Sequence, residues 1–145
     1  MISTSSYKNW KSDKYRVVSI SGDRGMGANY KGNCYPKLAP KLGFWRTWHD
    51  NIGKITEEEN MRYYIKQYYE QVLLNVNFEE ILFHEKEPIL LCYEESDKFC
   101  HRHIVAEYLE IKYGIFVPEV SITTTLEVCN KERPKEIRII LESII

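Results

Sequence analysis

Along this chain the period of the apolar positions changes from segment to segment. Residues 15–21, YRVVSIS, are a short apolar run that stops at Gly22, which reads as a buried strand, and ISTSS at 2–6 is a candidate earlier strand. The next stretch, GDRGMGANYKGNCYPKLAP, holds four glycines and two prolines, which predicts irregular structure. Because it also carries Tyr30, Tyr35 and Leu38, it reads as an ordered loop folded back over the sheet. Residues 41–50 suit a short helix presenting Phe44, Trp45 and Trp48.

Thr56 followed by Glu59 is a capping box, and Met61, Tyr64, Ile65, Tyr68, Val72 and Leu73 recur at helical spacing, predicting a helix over roughly 57–75 with a solvated outer face and no chemistry of its own. Asn77 with Glu80 repeats the cap for a short helix to about His84. The continuous apolar run ILLCYE after Pro88 fits a central parallel strand buried on both faces. A helix follows from about His101 to Tyr113, with Gly114 as its stop, and IFVPE offers one more short strand. In the tail, SITTTLEVC reads as a strand and EIRIILESII fits either period.

Strand, helix, strand, helix, strand predicts an α/β fold: a single compact domain over 1–145, a small, mostly parallel sheet flanked by helices, and a long ordered loop after the first main strand. In open sheets of this kind ligands bind at the carboxyl ends of the strands. Two loops leave such ends here, GDRG and YEESDKFCHR. If their strands are neighbours, Asp23, Arg24, Glu94, Cys100, His101 and Arg102 converge on one edge.

Composition narrows the function classes. The 145 residues carry a net charge of −1, which removes a whole-chain argument for a nucleic-acid surface and leaves a local basic patch open. No apolar run approaches the roughly 20 residues of a membrane span. The N-terminal stretch lacks the apolar segment of a secretory signal. Cys34, Cys92, Cys100 and Cys129 are widely spaced with no Cys-x-x-Cys, which fits reduced thiols in the cytoplasm better than a disulfide scaffold.

The candidate chemistry gathers at 92–103. At about 100° per residue, Ile104, Val105, Tyr108, Leu109 and Ile111 form one apolar stripe with His101 in its middle. Arg102 falls at its border and His103 on the opposite, wet side. Cys100 stands at the helix N-terminus, where free N–H groups and the dipole favour an anion and lower a thiol pKa. The bland readings are a satisfied core histidine and an inert buried cysteine. Cys92 reads as a packing residue, and Glu94, two positions on, shares its strand face and could orient His101 or pair with Arg102. Cys92, Cys100, His101 and His103 include metal-ligand types. Their spacing is unlike the common zinc knuckles, and adjacent Cys-His rarely both reach one ion, so no metal is assigned. Asp23–Arg24 is either a phosphate-wrapping or a turn-stabilising pair; it belongs to no P-loop and no dinucleotide fingerprint. Tyr30, Tyr35, Trp45 and Trp48 either stack a base or sugar or form a second core cluster.

The combination SISGDRG, Tyr-x-Gly at Tyr30–Gly32, YPKLAP, a Trp-rich segment and LLCYE…FCHRHIVAEYL closely resembles a bacterial and phage family, domain of unknown function 488, over roughly residues 2–119. The chain resembles its short, phage-type branch, with SISGDRG in place of the Asp-Val-Arg-type strand end of longer members and with 120–145 as an extension. The resemblance implies a compact α/β domain and places Cys92, Glu94, Cys100, His101 and Arg102 in the family's signature. It implies no activity, cofactor or oligomeric state.

These residues suggest a pocket for an anionic small molecule, phosphorylated and plausibly a nucleotide. Arg102, Asp23, Arg24, Tyr30, Tyr35 and Cys92 would bind it, with Cys100, His101 and Glu94 as the catalytic set. The alternative is a non-enzymatic module that binds protein or nucleic acid through the loop 26–48, with the Cys-Glu-Cys-His-Arg set as a structural network. A third reading is redox chemistry between Cys92 and Cys100.

Overall fold

The structure, a computed structural model, describes residues 2–10, 17–82, 87–123, 126–128 and 132–145. Tyr15, Arg16, His84 and Cys129 lie outside the described residues. Four strands form one sheet: β1 (Ser3–Ser6), β2 (Val17–Ser19), β3 (Asn33–Cys34) and β4 (Ile89–Cys92). Their order is β1-β4-β2-β3 and every pairing is parallel. The expected α/β architecture is thus present, and the sheet is wholly parallel. Thr4 and Val18 both stand beside Leu90, so β4 is central. Ile89, Leu90 and Leu91 are at most 1% exposed, as a strand covered on both faces requires.

Among the described residues five α-helices accompany the sheet: α1 (Leu42–Asn51), α2 (Glu57–Gln71), α3 (Phe78–Leu82), α4 (His101–Tyr113) and α5 (Lys135–Ile144). The capping box at α2 forms, with the Glu59 N–H donating to the Thr56 hydroxyl at 3.1 Å. Gly114 ends α4 in the left-handed conformation. The undecided tail segment is helical, and α5 packs against α4 and α2. Ahead of it β5 (Ser121–Thr123) pairs antiparallel with β6 (Leu126–Val128).

Strand alternation divides the core. Leu90 belongs to the large cluster that includes Tyr64, Tyr68, Ile104, Val105 and Leu109. Val17, Ile89 and Leu91 belong to a smaller one with Val120, against which Tyr7, Trp10 and Tyr30 pack. The loop after β2 is less irregular than its glycines and prolines suggest. It holds short 3₁₀ turns at 26–28 and 36–38 and contributes β3, while Leu38 is fully buried.

Two expectations fail here. IFVPE is not a strand: Glu119 makes only an isolated bridge to Thr4, and the backbone of 118–120 bonds along β1 instead. That covers an edge that would otherwise stay open. The second failure is the wet side of α4. His103 is fully buried, and every residue from His101 to Leu109 is buried, because α5 and the sheet both pack on this helix.

Burial on that side is made tolerable by an ion pair. Arg102 donates to both carboxylate oxygens of Glu119, Nε at 3.1 Å and the second amine nitrogen at 2.7 Å, and Thr4 adds a hydroxyl donor at 2.6 Å. Both charged side chains are 0% exposed. Removing one partner of such a pair strands a charge, which costs more than removing both. Glu119→Gln is therefore expected to lose about 3–5 kcal/mol of stability in chemical denaturation. The Arg102→Met/Glu119→Leu double variant should lose less than Glu119→Gln; a larger loss would contradict this account.

Candidate functional site

Because β2 and β4 are parallel neighbours, the loops that leave their carboxyl ends meet at one rim. On one side of that rim His101, the first residue of α4, turns inward. Its Nε2 lies 2.7 Å from the Ile20 carbonyl oxygen, just past β2. A carbonyl only accepts, so Nε2 carries a proton, and in the neutral tautomer this leaves the lone pair on Nδ1. Nδ1 lies 3.6 Å from the sulfur of Cys92, the last residue of β4. Cys100, the N-cap residue of α4, completes the group: the two sulfurs and a ring nitrogen of His101 all lie within 4.8 Å of one another. Tyr68 stands against the imidazole, with ring centroids 5.7 Å apart. Helix α2 thus walls the site, a role its spacing did not announce.

All three residues are buried, Cys92 and Cys100 at 5% exposure and His101 at 6%. Burial works against a charged thiol at Cys100. The neighbouring Cys92 thiol, the positive charge of Arg102 and the contact with His101 outweigh it and hold that thiol well below its ordinary value. Cys92 moves the opposite way, because its proton serves Cys100 and because it is buried. The pair therefore shares its protons unequally, with Cys100 the thiolate side.

On the other face, the rim is organised by Asp23. Its carboxylate accepts from the Gly25 N–H at 2.8 Å, the Gly27 N–H at 3.0 Å, the Ser21 hydroxyl at 3.0 Å and the Tyr93 hydroxyl. Partial burial alone would raise this carboxyl; Tyr93 and the other donors together hold it below the usual range. Asp23 is thus the turn-stabilising residue of the two readings, and it ties the loop after β2 to the loop after β4. Gly27 has to be small there, since a Cβ would fall 2.7 Å from the Tyr93 hydroxyl oxygen.

The remaining candidates disperse. Arg102 points to Glu119, and His103 lies with it, its Nδ1 3.9 Å from that carboxylate. Burial and the Arg102 charge push His103 down to about 4, so it is neutral near pH 7. Glu94 does not orient His101 or pair with Arg102: β4 ends at Cys92, the strand alternation stops there, and Glu94 is exposed. Arg24 is exposed at a positive φ of 60°. Tyr30 lies under its own loop, its hydroxyl donating to Asn33 at 2.6 Å, and Tyr35 and Trp48 pack on the main core. Trp45 stays partly exposed and stacks on His49. A separate cleft of about 580 Å³ opens beside α4 and α5, but its Arg133 and Arg138 already pair with Glu107 and Glu110. No helix among the described residues is long and apolar enough to cross a membrane.

Three partners escaped sequence reasoning: Glu119, Tyr93 and the Ile20 carbonyl. Glu119 offered the one available signal, an acid in a short apolar segment two residues after Val117. Adjacent Cys-His residues also meet one point here, against the expectation drawn from spacing, because Cys100 is extended while His101 is already helical.

The chain belongs to the DUF488 family: residues 5–113 match the model DUF488-N3a, described as the active DUF488-N3 subclade. That range includes both rim loops and all of α4, and it excludes Glu119. Neither the curated proteins nor the solved structures include a match to the chain.

The Asp23 hub has a pH signature. Its folded pKa is depressed, so the bonds it accepts are fully in place above the unfolded carboxylate value of about 4. They are lost as the pH falls through the lower, folded value. In an NMR titration the Gly25 and Gly27 amide resonances should move together with one acidic midpoint. Tyr93→Phe, which removes a donor, should shift that midpoint upward; an unchanged midpoint would separate Tyr93 from the hub.

Proposed function

We propose that this DUF488 member is a thiol-centred enzyme whose site is the Cys92–Cys100–His101 cluster at the carboxyl edge of the sheet. The observation that carries this reading is the meeting of two thiols and an imidazole within 4.8 Å at the N-terminus of a 13-residue helix. The description of the family model as an active subclade agrees with it. Cys100 supplies the nucleophilic sulfur, Cys92 donates a hydrogen bond to it, and His101, held by Ile20, takes up and returns the proton. The substrate class is a small anionic molecule, phosphorylated and with nucleotides among the candidates, whose charge meets the first N–H groups of α4. Arg102 is not part of its binding set, since its side chain is fully buried and its Nε and one amine nitrogen are held by Glu119.

Access would come from the 93–99 loop, which joins Cys92 to Cys100 and exposes Tyr93, Glu94, Asp97 and Lys98. It is held to the rest of the molecule by Tyr93, which bonds Asp23 and packs on Tyr7, by Glu95 to Asn9 and Lys8, and by Phe99, which packs on Trp48 and Tyr64.

A second reading has its own support. His101 links β2 to α4 through a buried 2.7 Å bond, which is also what a purely structural network would do. Binding of a protein or nucleic acid through the 26–48 loop would then be the function.

Cys100→Ser separates the two. A thiol enzyme keeps its melting temperature within a few degrees, loses its reaction with iodoacetamide at residue 100, and no longer responds to the member of a nucleotide and sugar-phosphate panel that stabilises the parent. Once that ligand is turned over, His101→Ala lowers kcat/KM by about 10²–10⁴-fold. A flat panel together with a large fall in melting temperature for Cys100→Ser supports the network instead.

A further inference from the structure

The donor atoms of the cluster are arranged for more than proton transfer. Three residues supply two sulfurs and one imidazole nitrogen, and these are the ligand types that thiophilic d¹⁰ ions prefer. In a tetrahedral zinc site, with Zn–S about 2.3 Å and Zn–N about 2.0–2.1 Å, a sulfur and a nitrogen ligand stand about 3.5 Å apart. Two sulfurs stand about 3.8 Å apart. The Cys92 sulfur and His101 Nδ1 are separated by 3.6 Å, and no pair in the group exceeds 4.8 Å. One edge of the tetrahedron therefore already has its final length, and the two sulfurs and a ring nitrogen already lie within 4.8 Å of one another.

A second observation points the same way. A histidine that ligates a metal almost always donates its other ring N–H to a carbonyl or carboxylate, which fixes the tautomer and aims the free lone pair. His101 does this with Ile20 at 2.7 Å, and the lone pair so aimed is the one facing Cys92. The proton inventory is also short: the Cys92 thiol proton has two acceptors within reach, His101 and Cys100, and satisfies one of them. A cation placed between the three would engage every lone pair at once. Two thiolates would cancel a divalent charge, which suits a site this deeply covered.

We propose that Cys92, Cys100 and His101 form a three-ligand site for Zn²⁺ or a similarly thiophilic ion, with its fourth position open toward the 93–99 loop. This site does not rest on the catalytic reading; it would exist in a chain with no turnover. Its formation is Zn²⁺ plus two thiols and one neutral imidazole giving a bis-thiolate complex and up to two released protons. No electron is transferred. Among the described residues no further His, Cys, Asp or Glu joins the group, so an outside ligand, water or a substrate atom, takes the fourth place.

The test uses the full chain, stripped by a chelator and titrated first with Co²⁺, then with Zn²⁺. Stoichiometric Co²⁺ is expected to give sulfur-to-cobalt charge transfer with the visible bands of a tetrahedral ion, and Zn²⁺ to abolish both. Cys92→Ser and Cys100→Ser should each lose charge-transfer intensity. His101→Gln should weaken Co²⁺ binding by more than the roughly 10–100-fold that loss of an outer-sphere partner costs. Should the serine variants fail to fold, the unmodified chain is alkylated with iodoacetamide with and without Zn²⁺ and read by peptide mass spectrometry. Protection of Cys92 and Cys100, with exposed Cys34 labelled at an unchanged rate, supports the site. Absence of charge transfer at saturating Co²⁺, its survival in the Cys92→Ser/Cys100→Ser double variant, or equal labelling of Cys92 and Cys100 with and without Zn²⁺ overturns it.

Discussion

The hydrogen bond from His101 Nε2 to the Ile20 carbonyl, 2.7 Å long and sealed from water, sets the geometry of everything around it. It joins the first residue of α4 to the chain just beyond β2, across the end of β4. Because the acceptor is a carbonyl, it also fixes which nitrogen carries the proton. A side chain that would otherwise be free to choose between tautomers is left with its Nδ1 lone pair over Cys92. An unmade bond at this depth would leave a buried carbonyl unsatisfied, at a cost of about 1–3 kcal/mol. The folded chain therefore has one arrangement of this ring.

The second polar centre is built from the same helical turn. Residues 100 to 103 point in four directions around α4, and each direction is occupied. Cys100 and His101 meet Cys92 at the sheet edge, while Arg102 and His103 meet Glu119 beside β1. Arg102 acts on both: it is neutralised by Glu119, and its charge still favours a thiolate at Cys100. A helix with a wet face could not use four consecutive residues in this way. It is the enclosure of α4 by the sheet, α2 and α5 that turns a local run of polar residues into two centres.

Much of this was legible in the chain. The all-apolar ILLC run identified the central strand, the Thr56–Glu59 box started α2, and Gly114 ended α4, because each rests on a local rule of backbone geometry. The meeting of the GDRG and CHR loops followed from parallel topology and needed no side-chain detail. What was not legible depended on contacts distant in sequence. Arg102 was assigned to a ligand because its acid, Glu119, lies 17 residues away, in a segment that looked like another strand. The wheel of a single helix sends His103 to solvent because it cannot show that α5, whose period is ambiguous, covers that side. Glu94 was kept on the Cys92 face by an alternation that the strand's end cancels. The aromatic loop divided between two cores: Tyr30 packs on the far face of the sheet, and Tyr35 on the near one.

The division of the sheet into two faces decides what the rim can do. Cys92 follows Leu91 by one residue and so faces α4, whereas Ser19 follows the alternation of Val17 to the other side, where Tyr7 bonds it at 2.6 Å. Soft donors therefore collect on one face of the carboxyl edge and hydroxyl groups with Asp23 on the other. The two are also linked through the chain: Cys92 is followed directly by Tyr93, whose hydroxyl reaches Asp23. Tyr93 thus ties the end of the strand that carries the Cys92 thiol to the hub that orders the loop after β2, with a single peptide unit between the two anchors.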